Sequence, residues 1–349
     1  MRLSLRRPDY ALFWTPPETE THSQDGKPYL MDPLDFSWDR SQYCVAGRDA
    51  PRYSLNYAFF PAYPYLTRLV AVPLRVLPIT PGGASALGTL GAMLALYDLT
   101  KGELSEAGGL RTAFYLIIFP SGFFLAMVYT EGLFVGSAFG CLALLRRKQW
   151  IGAGLLAMLA TWTRTVGIAL VIPLAIDWLR EFDWRHINRA TIIRGLVVIA
   201  PLVAYLVWRF SAWGQAFTAV EHVYFSREPQ AFRRSLEAWS AAWRTFLTDN
   251  SQGKVYYAVE FAAIVLGLAA CAWTWRSHPG LALFGLAVIV VSLTSGVAQG
   301  MHRYVLAAPS VFWVLSRLGN NKVFDRSWTL LSTLMGLYAT LFAFDMWAG

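Results

Sequence analysis

Apolar residues along the chain fall into long blocks separated by short polar connections, at 83 to 99, 110 to 128, 131 to 145, 193 to 210, 258 to 275, 280 to 298, 303 to 318 and 328 to 347. A lipid hydrocarbon core of about 30 Å takes roughly 20 apolar residues of helix, and these blocks are built to that measure. The pattern predicts an all-α protein, a polytopic transmembrane helical bundle. Ahead of the first block, residues 59 to 77 (FFPAYPYLTRLVAVPLRVL) are apolar but interrupted by Pro61, Pro64 and Pro73 and carry Arg68 and Arg75. They suit a helix lying in the membrane interface better than one crossing it. Residues 1 to 57 are polar, yet Trp14, Trp38 and Tyr43 give them more aromatic content than a disordered tail carries. The chain therefore divides into a polar N-terminal segment with a first outer loop, 1 to 57, and a multi-pass domain, 58 to 349, with an outer loop at 211 to 256.

Topology follows from the basic residues, because Lys and Arg near span ends favour the cytoplasm. They cluster at Lys101 and Arg111, at Arg146, Arg147 and Lys148, from Arg180 to Arg194, at Arg276, and from Arg317 to Arg326. All five connections share one side only if residues 151 to 179 cross the membrane twice. That stretch falls short of the roughly 40 residues that two full spans need, so it would be a pair of short or re-entrant helices broken at Arg164. The rival reading, one long tilted span, puts the cluster from Arg180 to Arg194 outside. The charge rule favours the double crossing, and Asp39, Glu131, Arg164 and the run Gln299 to Tyr304 then meet at the outer face.

Composition narrows the classes further. Of the 349 residues, 56% are hydrophobic and 15% charged, with a mean hydropathy of +0.40, as expected of a chain whose solvent is mostly lipid. The net charge of +8 does not indicate nucleic acid, since the arginines sit in connections where they set topology and meet lipid headgroups. Cys141 and Cys271 lie inside apolar blocks and Cys44 stands apart, a distribution that gives neither a disulfide framework nor a metal-ligand spacing. Trp150, Trp184, Trp208, Trp213 and Trp275 fall near block ends, as in interfacial aromatic belts. There is no Walker loop, GxGxxG or HExxH, so nucleotide-sugar and ATP chemistry has no visible site.

Ionisable residues at membrane depth are costly and mark pairing, binding or proton transfer. In FSWDRSQY, Asp39 is placed to act as a general base, the alternative being an ordinary loop aspartate. In PSGFFLAMVYTEGLF, Glu131 sits in a tight connection, where it positions a sugar or an arginine, or simply faces water at headgroup level. Arg164 in TWTRTVG has apolar runs on both sides and must find an anion. A phosphate gripped by bidentate hydrogen bonds is one choice and a structural pair with Glu131 or Asp39 the other. QGMHRYVLAAP brings Gln299, His302, Arg303 and Tyr304 to the mouth of a span, donors and a cation fit for a phosphoryl leaving group or for lipid headgroups. Glu221, His222 and Arg227 in the outer loop read as solvated charges that sugar contacts would also explain.

Taken together, WDRSQY, AFFPAYPYLTRL, PSGFFLAMVYTEGLF, LATWTRTVG and QGMHRY stand in an order and spacing that resembles the GPI mannosyltransferase II family and its prokaryotic relatives. The similarity runs from about residue 37 to residue 304, with FFPAYP and YTEGLF its most specific elements. It implies a fold of the GT-C glycosyltransferase type with a catalytic outer loop, and a polyprenyl-phosphate-linked sugar donor, commonly dolichol-phosphate mannose. The sugar would pass to a lipid or glycan acceptor on the non-cytoplasmic face by an inverting displacement. By the same resemblance Asp39 is the general base, Arg164 and Arg303 bind the donor phosphate, and Glu131, Gln299, His302 and Tyr304 position substrate. No metal or organic cofactor is demanded, because two arginines can neutralise the leaving group. The implied partners are donor, acceptor and membrane lipids, with no nucleic acid; the oligomeric state is open. Two departures stand out. The family implies a spanning helix that delivers the WD loop, and residues 1 to 37 hold none; and Gly132 stands where the family more often has Ser. A lipid-linked-sugar transporter or flippase, and a non-catalytic subunit of a glycan assembly complex, are the competing readings. The preference for Arg over Lys and the short loops point to a bacterial cytoplasmic membrane over the endoplasmic reticulum.

Overall fold

The structure is a computed structural model that describes residues 60–63, 65–66, 69, 83–127, 129–183, 185, 187–225, 232–248 and 251–343. Among these residues every regular element is helical. The first, α1 (Gly83–Ile117), is two runs folded against each other at Ser105, whose φ of 68° takes the backbone out of the helical region. Gly109 lets the returning run close on the first, since a Cβ there would lie 2.8 Å from Tyr97 Cδ2. The expected spans 83 to 99 and 110 to 128 are these two limbs, although the second stops at Ile117 and passes through a 3-10 turn at Gly122–Leu125. Pro120, with no N–H to donate, stands at that break.

Next come α2 (Glu131–Arg146), α3 (Trp150–Thr163), a 3-10 turn (Thr165–Leu170) and α4 (Val171–Glu181). Arg164, between α3 and the turn, is extended at φ −151° and ψ 139°, and the chain reverses there. Lys148, just before α3, pairs at 2.5 Å with Glu181 at the end of α4, so residues 149 to 181 leave one end of the bundle and return to it, as the double crossing requires. The remaining elements are α5 (Arg189–Arg209), α6 (Ala212–Phe225), α7 (Phe232–Leu247), α8 (Ser251–Thr274), α9 (Pro279–Leu293), a single turn α10 (Met301–Tyr304), α11 (Pro309–Leu318), α12 (Lys322–Leu331) and α13 (Thr333–Ala343).

Three expectations need correction. The region 211 to 256, read as an outer loop, contains α6, α7 and the first turn of α8 among its described residues. Its helicity escapes a search for long apolar blocks because α7 is amphipathic. Phe232, Leu236, Trp239 and Trp243 line one face and Arg233, Arg234 and Arg244 the other, and the Trp239 indole donates to the Leu293 carbonyl at 3.0 Å. The span 303 to 318 is interrupted where Pro309 starts α11, and 328 to 347 is divided at Ser332 between α12 and α13. Of the interfacial helix expected over 59 to 77, residues 62–63, 65–66 and 69 are helical, Phe60 and Pro61 precede the helix, and the rest lies outside the described residues.

The tightest packing joins α1 to α2. Gly88 lies against the backbone of Gly132, and a Cβ on Gly136 would sit 2.1 Å from the Gly88 carbonyl oxygen. The glycines four apart in α2 permit this backbone contact, as small residues do between membrane helices. The same contact explains Gly132, since a Cβ there would meet the Ser85 carbonyl oxygen at 2.4 Å. Gly136→Ala is therefore expected to lower stability by about 1–3 kcal/mol, read as a drop in unfolding temperature in detergent, and an unchanged temperature would contradict the contact.

The bundle has two distinct ends. At one, Arg147 holds Asp98 through two bonds of 2.5 and 2.8 Å, Glu103 takes Arg146 and His278, and Glu181 takes Lys148 and Arg194. Such exposed pairs add little stability; their value is that they show which connections share an end. At the other, Ser85 Oγ donates to the Leu125 carbonyl at 3.0 Å and Ser121 Oγ to that of His302 at 2.7 Å. Between them runs one contiguous core that includes Leu96, Leu116, Phe139, Leu170, Phe284 and Phe312. Outside it, α5 exposes Leu196, Ile199, Val203, Leu206 and Val207, an apolar flank of the kind that marks contact with lipid or protein. Among the described residues, the two helices Arg189–Arg209 and Gly253–Thr274 are long and apolar enough to cross a membrane.

Candidate functional site

The end opposite the exposed ion pairs holds a buried charge cluster assembled from three distant segments. Glu131 is the first residue of α2, where a carboxylate is favoured by the helix dipole, and it is only 1% exposed. Arg164 reaches it from the chain reversal after α3, with Nη1 3.1 Å from Oε1. The break that aims Arg164 there is itself satisfied, because its backbone N–H still donates to the Ala160 carbonyl at 2.9 Å. Arg303, on the single turn α10, donates to the same oxygen from Nε at 3.0 Å and also from Nη2.

Aromatic rings shape the cluster. The Arg303 guanidinium carbon lies 4.3 Å from the centre of the Phe124 ring and 4.9 Å from that of Tyr129, and Arg164 lies 5.0 Å from the Tyr304 ring. These are cation–π distances, and they orient both guanidinium planes. Two features of the cluster are incomplete. Two arginines face one glutamate, so the group carries a formal charge of +1, which is costly away from water without an anion. In addition, Glu131 Oε2 is buried with no hydrogen-bond partner among the described residues. The arginine side chains remain 18% and 16% exposed, so an anion can reach them while Glu131 itself stays covered.

The structure thus brings Glu131, Arg164, Arg303 and Tyr304 together. Each choice left open for Arg164 and Glu131 has a definite geometry: Arg164 is ion-paired, and Glu131 holds arginines instead of facing water. His302, two residues from Gly300, is buried beside them, whereas Gln299 is exposed. Asp39 lies outside the described residues, as do Arg227 and the side chains of Glu221 and His222.

One residue that the sequence reading did not single out belongs to this end. Glu260 of α8 is fully buried, accepts from the Tyr256 hydroxyl at 2.5 Å and from the Gly300 N–H at 2.6 Å, and lies 3.2 Å from His302 Nδ1. A carboxylate near the start of the apolar block 258 to 275 was the signal available to find it.

No family model matches the chain. Among curated proteins it is similar to GPI alpha-1,6-mannosyltransferase 2 of Cricetulus griseus, 30% identical over 148 residues that make up 38% of this chain and 29% of that protein. The match thus spans less than a third of the relative's length. Among solved structures it is similar to the oligosaccharyltransferase AglB of Archaeoglobus fulgidus in complex with an inhibitory peptide and a dolichol-phosphate. That similarity is 15% identity over 88% of this chain and 49% of that one, with a TM-score of 0.42. The same oligosaccharyltransferase tethered to an acceptor peptide gives a TM-score of 0.43 at 15% identity, again over 88% and 49% of the two chains. The curated match agrees with the resemblance to the GPI mannosyltransferase II family.

Proposed function

We propose that the chain is a polytopic membrane glycosyltransferase of the GT-C type. It moves a sugar, mannose first among the candidates, from a polyprenyl-phosphate-linked donor to a lipid or glycan acceptor on the non-cytoplasmic side. The observation that supports this reading best is the surplus positive charge of the cluster. Two arginines from segments 139 residues apart in the sequence, Arg164 and Arg303, share a single oxygen of Glu131 and leave most of their N–H donors for a further anion. A lipid phosphodiester, with one negative charge, balances the cluster.

In the reaction the acceptor oxygen attacks the anomeric carbon and gives its proton to Asp39. The bond from that carbon to the phosphate oxygen breaks, and the lipid phosphate leaves with both bonding electrons. Its second negative charge develops beside Arg164 and Arg303, where fixed cations stabilise it without reorganisation. Glu131 holds the two guanidinium groups against each other's repulsion from its covered position. The aromatic planes of Phe124, Tyr129 and Tyr304 keep both arginines in register. The sugar transferred and the acceptor follow from residues beyond this cluster. The bacterial cytoplasmic membrane is the location we favour.

The test is transfer of radiolabelled mannose from synthetic polyprenyl-phosphate-mannose to extracted lipid and glycan acceptors by membranes that contain the protein. Arg303→Lys keeps the charge but loses the two-pronged grip, and it is expected to raise the donor KM about tenfold. Absence of transfer with every lipid-phosphate sugar tried would overturn the reading.

A further inference from the structure

Among the described residues only two carboxylates are buried, Glu131 and Glu260. The first holds the arginine pair; the second has no part in the chemistry above. Glu260 cannot serve a phosphate directly, because it is an anion and is fully enclosed. Its bonds run instead to a piece of backbone. It accepts from the N–H of Gly300 at 2.6 Å and of His302 at 3.3 Å, while the Tyr256 hydroxyl, one helical turn before it, donates at 2.5 Å. Gly300 stands at φ 76°, in the left-handed region that favours glycine. On the opposite side of the same turn, Ser121 Oγ donates to the His302 carbonyl at 2.7 Å. The turn follows an irregular stretch from 295 to 300, which by itself has little to fix its direction.

We infer that Glu260 is a positioning residue: by clamping the backbone of Gly300 to His302, it determines where Arg303 presents its guanidinium to Glu131 and to the donor phosphate. A carboxylate suits this task because its two charged oxygens accept several donors at once. An amide at the same place offers a single acceptor oxygen. The part of this inference that concerns phosphate rests on the proposed function; the clamp on Arg303 does not.

Two measurements on the full-length protein in detergent separate these parts. The first is binding of polyprenyl phosphate, the sugar-free leaving group, to wild type, Glu260→Gln, Arg303→Ala and the double variant. Glu260→Gln is expected to weaken binding about tenfold, and to cause no further loss once Arg303 is absent. A change of less than twofold, or an equal loss in the Arg303→Ala background, overturns the proposal. The second is thermal unfolding of the same four proteins, in which the Glu260→Gln and Arg303→Ala shifts are expected to be non-additive. If wild type fails to bind polyprenyl phosphate, the functional reading falls, and additive shifts would then overturn the clamp as well. Should Glu260→Gln not fold, Tyr256→Phe removes one donor and leaves the carboxylate. It is expected to weaken binding about threefold only while Arg303 is present, and no change would count against the proposal.

Discussion

Glu131→Ala is expected to cost about 3–5 kcal/mol of stability, a large share of the roughly 5–15 kcal/mol that holds a typical protein folded. The reason lies in what remains after the change. Arg164 and Arg303 both spend their shortest bonds on the one Glu131 oxygen, and without it two like charges face each other in a site lined by Phe124, Phe134 and Tyr304. Removing one partner of a buried pair is worse than never having had it, since the other keeps its desolvation penalty. The double variant Glu131→Ala with Arg164→Met removes one of the stranded cations and is expected to recover part of the loss. Unfolding followed by temperature or denaturant in detergent measures both. A Glu131→Ala protein as stable as wild type would show that the cluster does not hold the adjoining ends of α2, α3 and α10 together.

The second large effect belongs to catalysis and is the reverse of the first, with stability and binding retained while turnover is lost. Asp39→Asn preserves the side chain's shape but removes the carboxylate that we propose as the proton acceptor, and general-base catalysis typically supplies about 10² to 10⁴ in rate. Transfer from polyprenyl-phosphate-mannose is expected to fall by about that factor, while polyprenyl phosphate still binds within about twofold, because the arginines proposed to hold its phosphate come from other segments. Equal transfer by wild type and Asp39→Asn would remove Asp39 as the base. Loss of binding together with transfer would instead make it a donor contact.

Much of the arrangement was legible because charge in an apolar chain is informative. The reversal at Arg164 followed from counting basic connections, and the pairing of Lys148 with Glu181 is the geometry that count demanded. Glu131, Arg164 and Arg303 were found for the same reason, as ionisable groups flanked by apolar runs. The search failed where its premise did. Amphipathic α7 has no long apolar block, so its helix passed for a loop, and Pro309 interrupted a block that composition alone made continuous. Glu260 was overlooked inside a span whose mean hydropathy is 1.9, since averaging over a window hides one carboxylate. The glycine contact between α1 and α2 depends on which faces meet across two helices, and one sequence does not state that. The substitution of Gly for Ser at 132, a departure when read along the chain, is a requirement when Ser85 lies against it.

The lengths of the helices that lead to the cluster have a consequence for its depth. From the end marked by Arg147 and Lys148, α2 has 16 residues and α3 has 14, which rise about 24 and 21 Å. The hydrocarbon layer that the proposed function requires them to cross is about 30 Å thick. On that proposal both helices stop below its far boundary, and the paired guanidinium groups lie within the depth of the hydrocarbon and not at its surface. A phosphate that reaches them has to shed water and descend, or the surrounding lipid has to thin to meet it. Membrane thickness then becomes part of the protein's working geometry, as much as any side chain at the site.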